Sequence, residues 1–254
     1  MLNNARIKAA PVQQISQQIK EFSRAEAYAM QEKQFQTRQA LGEKQVGWKM
    51  GLTSEAKRQQ MNLDSPLYGF LTEKMQVQNG STFSLEGKIH PKIEPEVAFW
   101  IGQDLSGSPT REQVLKACRG VCASLEILDS RYEQFKYFSM EDVIADNSSS
   151  SDFILGPWRE DFHNLDLTNL FMEMSADRKV SQKGISKDIS GDPVISVIQL
   201  CQLLAERGQI LKSGSIVLAG AATAAIELSP GLQVELTVEG LPPVSVTVEG
   251  KRLA

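Results

Sequence analysis

The period of the apolar positions changes along the chain. Val12, Ile15, Ile19 and Phe22 recur at intervals of three and four, the spacing of one helical face, so residues 11–22 are predicted to be helical. Ser23 followed by Glu26 is a capping box, in which the serine accepts from the new helix's amides and the glutamate reaches back. A second helix should start at Arg24, run through Tyr28 and Phe35, and end at Gly42. Residues 46–50 then read as a short strand, and a helix-like run follows over residues 54–61. From Ile89 to Trp100 the chain alternates, placing Lys92, Glu94 and Glu96 on one face and Ile93, Pro95 and Val97 on the other. Pro95 cannot donate to a ladder, which predicts an edge strand or a bulge.

Thr110 with Gln113 forms another capping box, opening a helix predicted to continue through Val121 and to carry Cys118 and Cys122 as two small buried residues. Residues 124–129 read as a strand with Glu126 emerging opposite Leu125 and Ile127. The stretch VIADNSSSSDFILG sets four serines between apolar runs, readable as a loop or as a serine-lined pocket wall. Asp192-Pro193 opens a helix with the stripe Val197, Leu200, Leu203 and Leu204, which Gly208 closes. Strands are predicted at 216–219, 234–238 and 244–248, the last two joined by a turn over 240–243. Helices thus lead and strands dominate afterwards, an α+β pattern.

Composition removes several function classes. The 254 residues carry a net charge of -4, so there is no basic field for a nucleic-acid backbone. No apolar run reaches the roughly 18 residues of a membrane span, and the first residues lack the apolar core of a signal peptide. A cytoplasmic protein is expected. Three cysteines make an odd set best read as reduced thiols, and two histidines exclude a histidine-rich zinc site. GAATAA at 220–225 has neither a phosphate-loop lysine nor dinucleotide spacing, so no nucleotide cofactor is expected.

Carboxylates, lysines and hydroxyls remain. Glu94 and Glu96 share a strand face about 6.5–7 Å apart at their backbones, where they repel unless a cation intervenes. Glu126, in an otherwise apolar strand, is costly to bury unless paired or coordinating. Three glutamates suit a hard divalent cation, Mg²⁺ before Ca²⁺. Taken alone the metal signal is weak, and Glu94 and Glu96 read as the polar outer face of a half-buried strand. Lys49 reads as a solvent-facing lysine on an edge strand, whereas Gly51 just after it marks close approach of a ligand or second backbone.

Five segments taken in order, GWKMGLTS, SPLYGFL, IHPKIEPE, SLEILDSRYEQFKY and VIADNSSS, resemble the hydratase/decarboxylase branch of the fumarylacetoacetate hydrolase superfamily. The resemblance implies a mixed β-roll core with a helical N-terminal lobe, divided here as 1–75 (the lobe with the lysine segment) and 76–254 (the β-roll catalytic domain). It implies a metal triad of Glu94, Glu96 and Glu126 holding Mg²⁺, with Mn²⁺ as the second option. It makes Lys49 and Asp146 catalytic, and Leu52, Leu67, Asn147, Ser149 and Thr223 substrate-binding. The implied activity is decarboxylation of 2-oxo-3-hexenedioate, a small dicarboxylate keto-acid of aromatic meta-cleavage degradation. Hydration of 2-hydroxypenta-2,4-dienoate is the alternative, and the pathway hydratase is an implied protein partner. Hydratases of the branch carry aspartate where Leu67 stands, which favours the decarboxylase. A binding subunit without catalysis would have no need of Lys49 and three repelling glutamates, and a C–C hydrolase would need a histidine beside them, for which His90 is the nearest in sequence.

Overall fold

The computed structural model describes residues 1–54, 58, 65–136 and 139–250. Strands β1 (Gln45–Gly51), β2 (Leu67–Thr72), β3 (Gln76–Val77), β4 (Thr82–Ser84), β5 (Pro91–Ile101), β6 (Cys118–Asp129), β7 (Ser150–Leu155), β8 (Phe171–Ala176), β9 (Lys179–Ile185), β10 (Ile216–Ala221), β11 (Ile226–Glu227), β12 (Gln233–Val238) and β13 (Leu241–Glu249) make two sheets. The larger runs β2-β1-β10-β5-β6-β7-β3, with β11 also on β5; the smaller runs β4-β13-β12-β8-β9. Helices α1 (Leu2–Lys8), α2 (Arg24–Ala40), α3 (Arg111–Ala117), α4 (Met140–Ala145) and α5 (Pro193–Ala205) lie outside them. The α+β expectation holds.

The period-2 pattern of β5 and β6 decides what each face buries. Ile93, Val97 and Phe99, with Leu125, Ile127 and Val121 of the paired strand, enter the main core, which includes Leu236, Val244 and Val246 of the smaller sheet. The opposite face carries Glu94 across from Glu126, Glu96 across from Ser124, and Ala98 across from Cys122. Ala98 and Cys122 join Leu71, Met75, Phe153, Leu155 and Leu218 in a second apolar cluster. The large sheet rolls: β2 and β7, five places apart in its order, approach within 8 Å at their Cα atoms. The glutamate face is therefore the concave one.

The predicted N-terminal helices are corrected in part. The capping box at Ser23 starts α2 as expected, with both reciprocal bonds formed. Residues 11–22 do not form a helix beyond the short turn Ile15–Gln17. Val12 instead bridges Tyr132 in parallel, its N–H donating to Arg131 O at 2.9 Å, so strand-like pairing outcompetes the local periodicity. The helix of the N-terminal segment that was not anticipated is α1. The lysine segment is β1, which bonds β10 and β2, so Gln45–Gly51 and Leu67–Thr72 are strands of the large sheet. The helix-like run at 54–61 lies outside the described residues, apart from its first residue and Arg58.

Elsewhere α3 stops at Ala117, and Cys118 to Asp129 form one strand because residues 118–123 pair with β5. Cys118, Cys122 and Cys201 are free and buried. β5 is central, and Pro95 falls in the interval between the β10 ladder, whose last pair is Ala221 with Glu96, and the β11 ladder, whose first pair is Ile226 with Ile93. The β12–β13 turn is tighter than expected, at Glu239 and Gly240, with Pro242 and Pro243 already inside β13 beside a bulge.

Gly69 shows how closely the roll closes. A Cβ there would lie 2.7 Å from the backbone oxygen of Asn147. Gly69→Ala should therefore destabilise the protein by about 1–3 kcal/mol in urea unfolding, through overpacking against backbone that cannot yield.

Candidate active site

The alternation of β5 and β6 brings the three glutamates to one point: one carboxylate oxygen from each of Glu94, Glu96 and Glu126 lies within 4.8 Å of the others. Glu96 and Glu126 are fully buried and Glu94 is partly exposed. Among the described residues this is the one such cluster of acidic, histidine or cysteine side chains, and His90 is not part of it.

Lys49 sits three strands away from Glu126 in sheet order, about 14 Å across a flat sheet. The roll closes that gap, and Lys49 Nζ lies 2.9 Å from Glu126 Oε2 as an ion pair. The solvent-facing reading of Lys49 is thereby overturned: β1 lies between β2 and β10, and the side chain is 3% exposed. Nζ also donates to the Ser148 carbonyl at 3.3 Å and to its hydroxyl at 3.2 Å. Burial works against the ammonium, but the summed attraction of Glu126, Glu94 and Glu96 outweighs it and raises its pKa. Burial pushes the Glu96 carboxyl well above the usual carboxylate range, Glu126 and Glu94 adding repulsion while Lys49 and the Gly220 N–H oppose.

One lysine among three glutamates leaves two negative charges uncompensated. Glu96 Oε1 and Glu126 Oε1 have no hydrogen-bond partner, whereas Glu96 Oε2 accepts from Gly220 N–H at 2.7 Å. A buried cluster of this charge with unsatisfied oxygens fits a hard divalent cation bound by Glu94, Glu96 and Glu126.

Beside the cluster lies a cavity of about 180 Å³ lined by Lys49, Glu94, Ser148 and Ser149, with Leu52, Phe135 and other apolar side chains. The serine run is thus a pocket wall. Its turn is strained: Asn147, Ser148 and Ser149 have φ of 50°, 54° and 57°. Left-handed backbone costs about 1–2 kcal/mol per residue for residues with a Cβ, so neighbouring contacts must enforce it. Asn147 supplies one such contact, donating to Phe70 O at 3.1 Å and accepting from Phe70 N–H at 2.8 Å, which satisfies part of the edge of β2. Gly51 faces the same turn, and a Cβ there would lie 2.6 Å from Ser148 Oγ.

The other expected site residues lie farther back. Leu67 is fully buried against Gly51. Asp146 is fully buried behind the turn and turned toward Arg131, whose Nε donates to Oδ1 at 2.6 Å; Ser149 Oγ approaches Oδ2 at 3.4 Å. Thr223, on the stretch between β10 and β11, donates to Ala224 O. Two contributors were missed in the sequence. Phe135 holds φ of 51° on the cavity wall, and Arg131 lies inside the SLEILDSRYEQFKY segment without any periodic signal to mark it.

Residues 36–249 match the family described as Fumarylacetoacetate (FAA) hydrolase C-terminal, and the chain belongs to that family. It is 42% identical over 211 residues to a 4-oxalocrotonate decarboxylase from a Pseudomonas species, covering 83% of this chain and 81% of the relative. The 4-oxalocrotonate decarboxylase of Pseudomonas putida G7, solved with magnesium and adipate, superposes with a TM-score of 0.93 at 35% identity, over 97% of this chain and 94% of that one. The same enzyme has been solved with calcium and acetate. A 2-hydroxyhexa-2,4-dienoate hydratase from Comamonas testosteroni is 32% identical, covering 89% and 86% of the two chains.

Burial raises the Asp146 carboxyl to about 6, against the pull of Arg131. The folded state then holds this proton more tightly than the unfolded chain, so its stabilising contribution is full at low pH and is lost as pH rises toward about 6. Urea titrations between about pH 4 and 7 should show the stability of the parent, relative to Asp146→Asn, falling as pH rises. A difference independent of pH would contradict this assignment.

Proposed function

We propose that this chain is a divalent-metal-dependent decarboxylase that converts 2-oxo-3-hexenedioate to 2-hydroxypenta-2,4-dienoate and CO₂. The observation that carries this reading is the cluster of three glutamates with Lys49 beside a cavity that Glu94 and Lys49 line and whose remaining wall is largely apolar. Bound by Glu94, Glu96 and Glu126, a divalent ion would act as a Lewis acid toward the 2-oxo acid end of the substrate. Mg²⁺ is the proposed ion, with Mn²⁺ as its competitor.

As the C5–C6 bond breaks, its electrons move through the C3=C4 double bond toward the 2-oxo oxygen. Lys49, held charged by its acidic neighbours and fixed by Ser148, stabilises the negative charge that arrives there. Leu52, Leu128, Phe135 and Val143 surround the cavity with apolar groups, a setting that disfavours a carboxylate and accepts neutral CO₂. Asp146 does not line the cavity, so its catalytic part is assigned through Ser149, whose hydroxyl links it to the wall and can pass a proton toward the product oxygen. Asn147 fixes the wall from behind, and Leu67 sets its depth by packing under Gly51. Thr223 meets the bound substrate when its hydroxyl leaves Ala224 O.

Hydration is the second reading. Leu67 weighs against it, because the fully buried leucine places no carboxylate beside Gly51 for activating water. A hydratase consuming the product is the proposed protein partner, to be sought by co-purification.

Two assays with and without Mg²⁺ separate the readings. Mg²⁺-dependent CO₂ release from the dienedioate is expected, abolished by chelator and restored by metal, with little water addition to hydroxypentadienoate. The reverse pattern would establish the hydratase. Lys49→Ala should lower kcat by about 10²–10³-fold, the scale of losing one preorganised group at developing charge. Full turnover by that variant would remove the lysine from the mechanism.

A further inference from the structure

The left-handed turn at 147–149 carries Ser148, which fixes Lys49, and Ser149, which lines the cavity, yet of its three residues only Asn147 is of a type that favours that backbone. The side chain that grips it lies outside the cavity. Arg131, 3% exposed, donates from Nε to Asp146 Oδ1 at 2.6 Å, from Nη2 to Asp146 O, and from Nη1 to Ser150 O at 3.2 Å and Asp129 O at 2.5 Å. Its backbone N–H donates to Asp146 Oδ2 at 3.2 Å. The two carbonyls at 146 and 150 bracket the strained turn, so the guanidinium holds both of its ends.

The third carbonyl ties the turn to the glutamates. Asp129 ends β6, three residues beyond Glu126, and its carboxylate accepts from the N–H groups of Ile89 and His90 at the entrance to β5. One planar group therefore spans the serine wall and the ends of the two strands that carry the metal ligands.

We propose that Arg131 is a positioning residue that sets the distance between the Ser148–Ser149 wall, with Lys49 attached, and the Glu94, Glu96 and Glu126 cluster. It touches neither substrate nor metal. The guanidinium has five donors in a fixed fork, and a lysine ammonium cannot reach the same acceptors from a single nitrogen. This proposal rests on the decarboxylase reading only for its turnover readout.

The test is Arg131→Lys, which keeps a positive charge beside Asp146. Thermal unfolding, calorimetric titration with Mg²⁺, titration of the Mg²⁺-loaded protein with adipate, and kcat are measured against the parent. Mg²⁺ affinity should stay within about twofold, because the ligand strands are intact. Adipate affinity should fall about 10-fold and kcat about 10–100-fold, the cost of a displaced wall. In Arg131→Ala, millimolar guanidinium should restore part of both, whereas the same concentration of sodium chloride should not.

Unchanged adipate affinity and kcat in folded Arg131→Lys would overturn the proposal. So would parallel loss of Mg²⁺ affinity and thermal stability with no guanidinium rescue, which would make Arg131 a residue of the fold alone. If the parent binds Mg²⁺ and adipate but releases no CO₂, the decarboxylase reading fails while the binding arms still decide the role of Arg131.

Discussion

Mutual repulsion among Glu94, Glu96 and Glu126 is the constraint on which this site depends. Three carboxylates with oxygens within 4.8 Å, two of them fully buried, cannot all be ionised in a protein interior without compensation. Lys49 supplies one positive charge, and a divalent ion would supply the remainder. The requirement reaches outward into the fold. Lys49 meets Glu126 only because the large sheet rolls, and the roll closes only where Gly51 and Gly69 let the 147–149 turn approach. Electrostatics at the centre and steric permission at the rim are two sides of the same arrangement.

The two faces of β5 and β6 divide the work. Ile93, Val97, Leu125 and Ile127 join the large hydrophobic core and hold the strands rigid. That rigidity lets the opposite face keep repelling groups close together. Strands place ligands more reproducibly than loops do, and here all three glutamates sit on adjacent paired strands. The opposing wall is a strained turn, so it needs separate fastening by Asn147 and Arg131.

Legibility in the sequence followed the range of the interaction. Alternation in IHPKIEPE put Glu94 and Glu96 on one face and that in SLEILD turned Glu126 away from Leu125 and Ile127, while the meeting of the three was implied only by the family resemblance; the capping boxes at Ser23 and Thr110 marked helix starts correctly. Each of these signals is local. Their limits were long-range: residues 11–22 kept a helical period but were drawn out by the Tyr132 bridge, and Cys118 to Ala123 were taken into a strand by β5. Lys49 could not be placed from its own neighbours, because its burial depends on a strand roughly eighty residues later. The β8–β9 hairpin turns at Asp177 and Arg178 with φ of 51° and 62°, a conformation usually marked by Asn-Gly and here unannounced. Asp146 drew attention as a carboxylate, but only three-dimensional contacts show that it faces Arg131 rather than the cavity.

The crowded glycines have an evolutionary corollary. At Gly51 and Gly69 any side chain collides with the serine turn, and at Gly47 a Cβ would strike the Ile216 backbone at 1.9 Å. Drift along this ribbon is therefore closed off, as it is at the acidic trio. Room for adaptation is left at Leu52, Phe135 and Val143, uncharged residues outside the strands, although the Phe135 ring also lies under the Lys92 ammonium at 4.5 Å. Relatives that accept longer or bulkier acids would be expected to diverge at those three positions first, while the glycine ribbon beside them stays fixed.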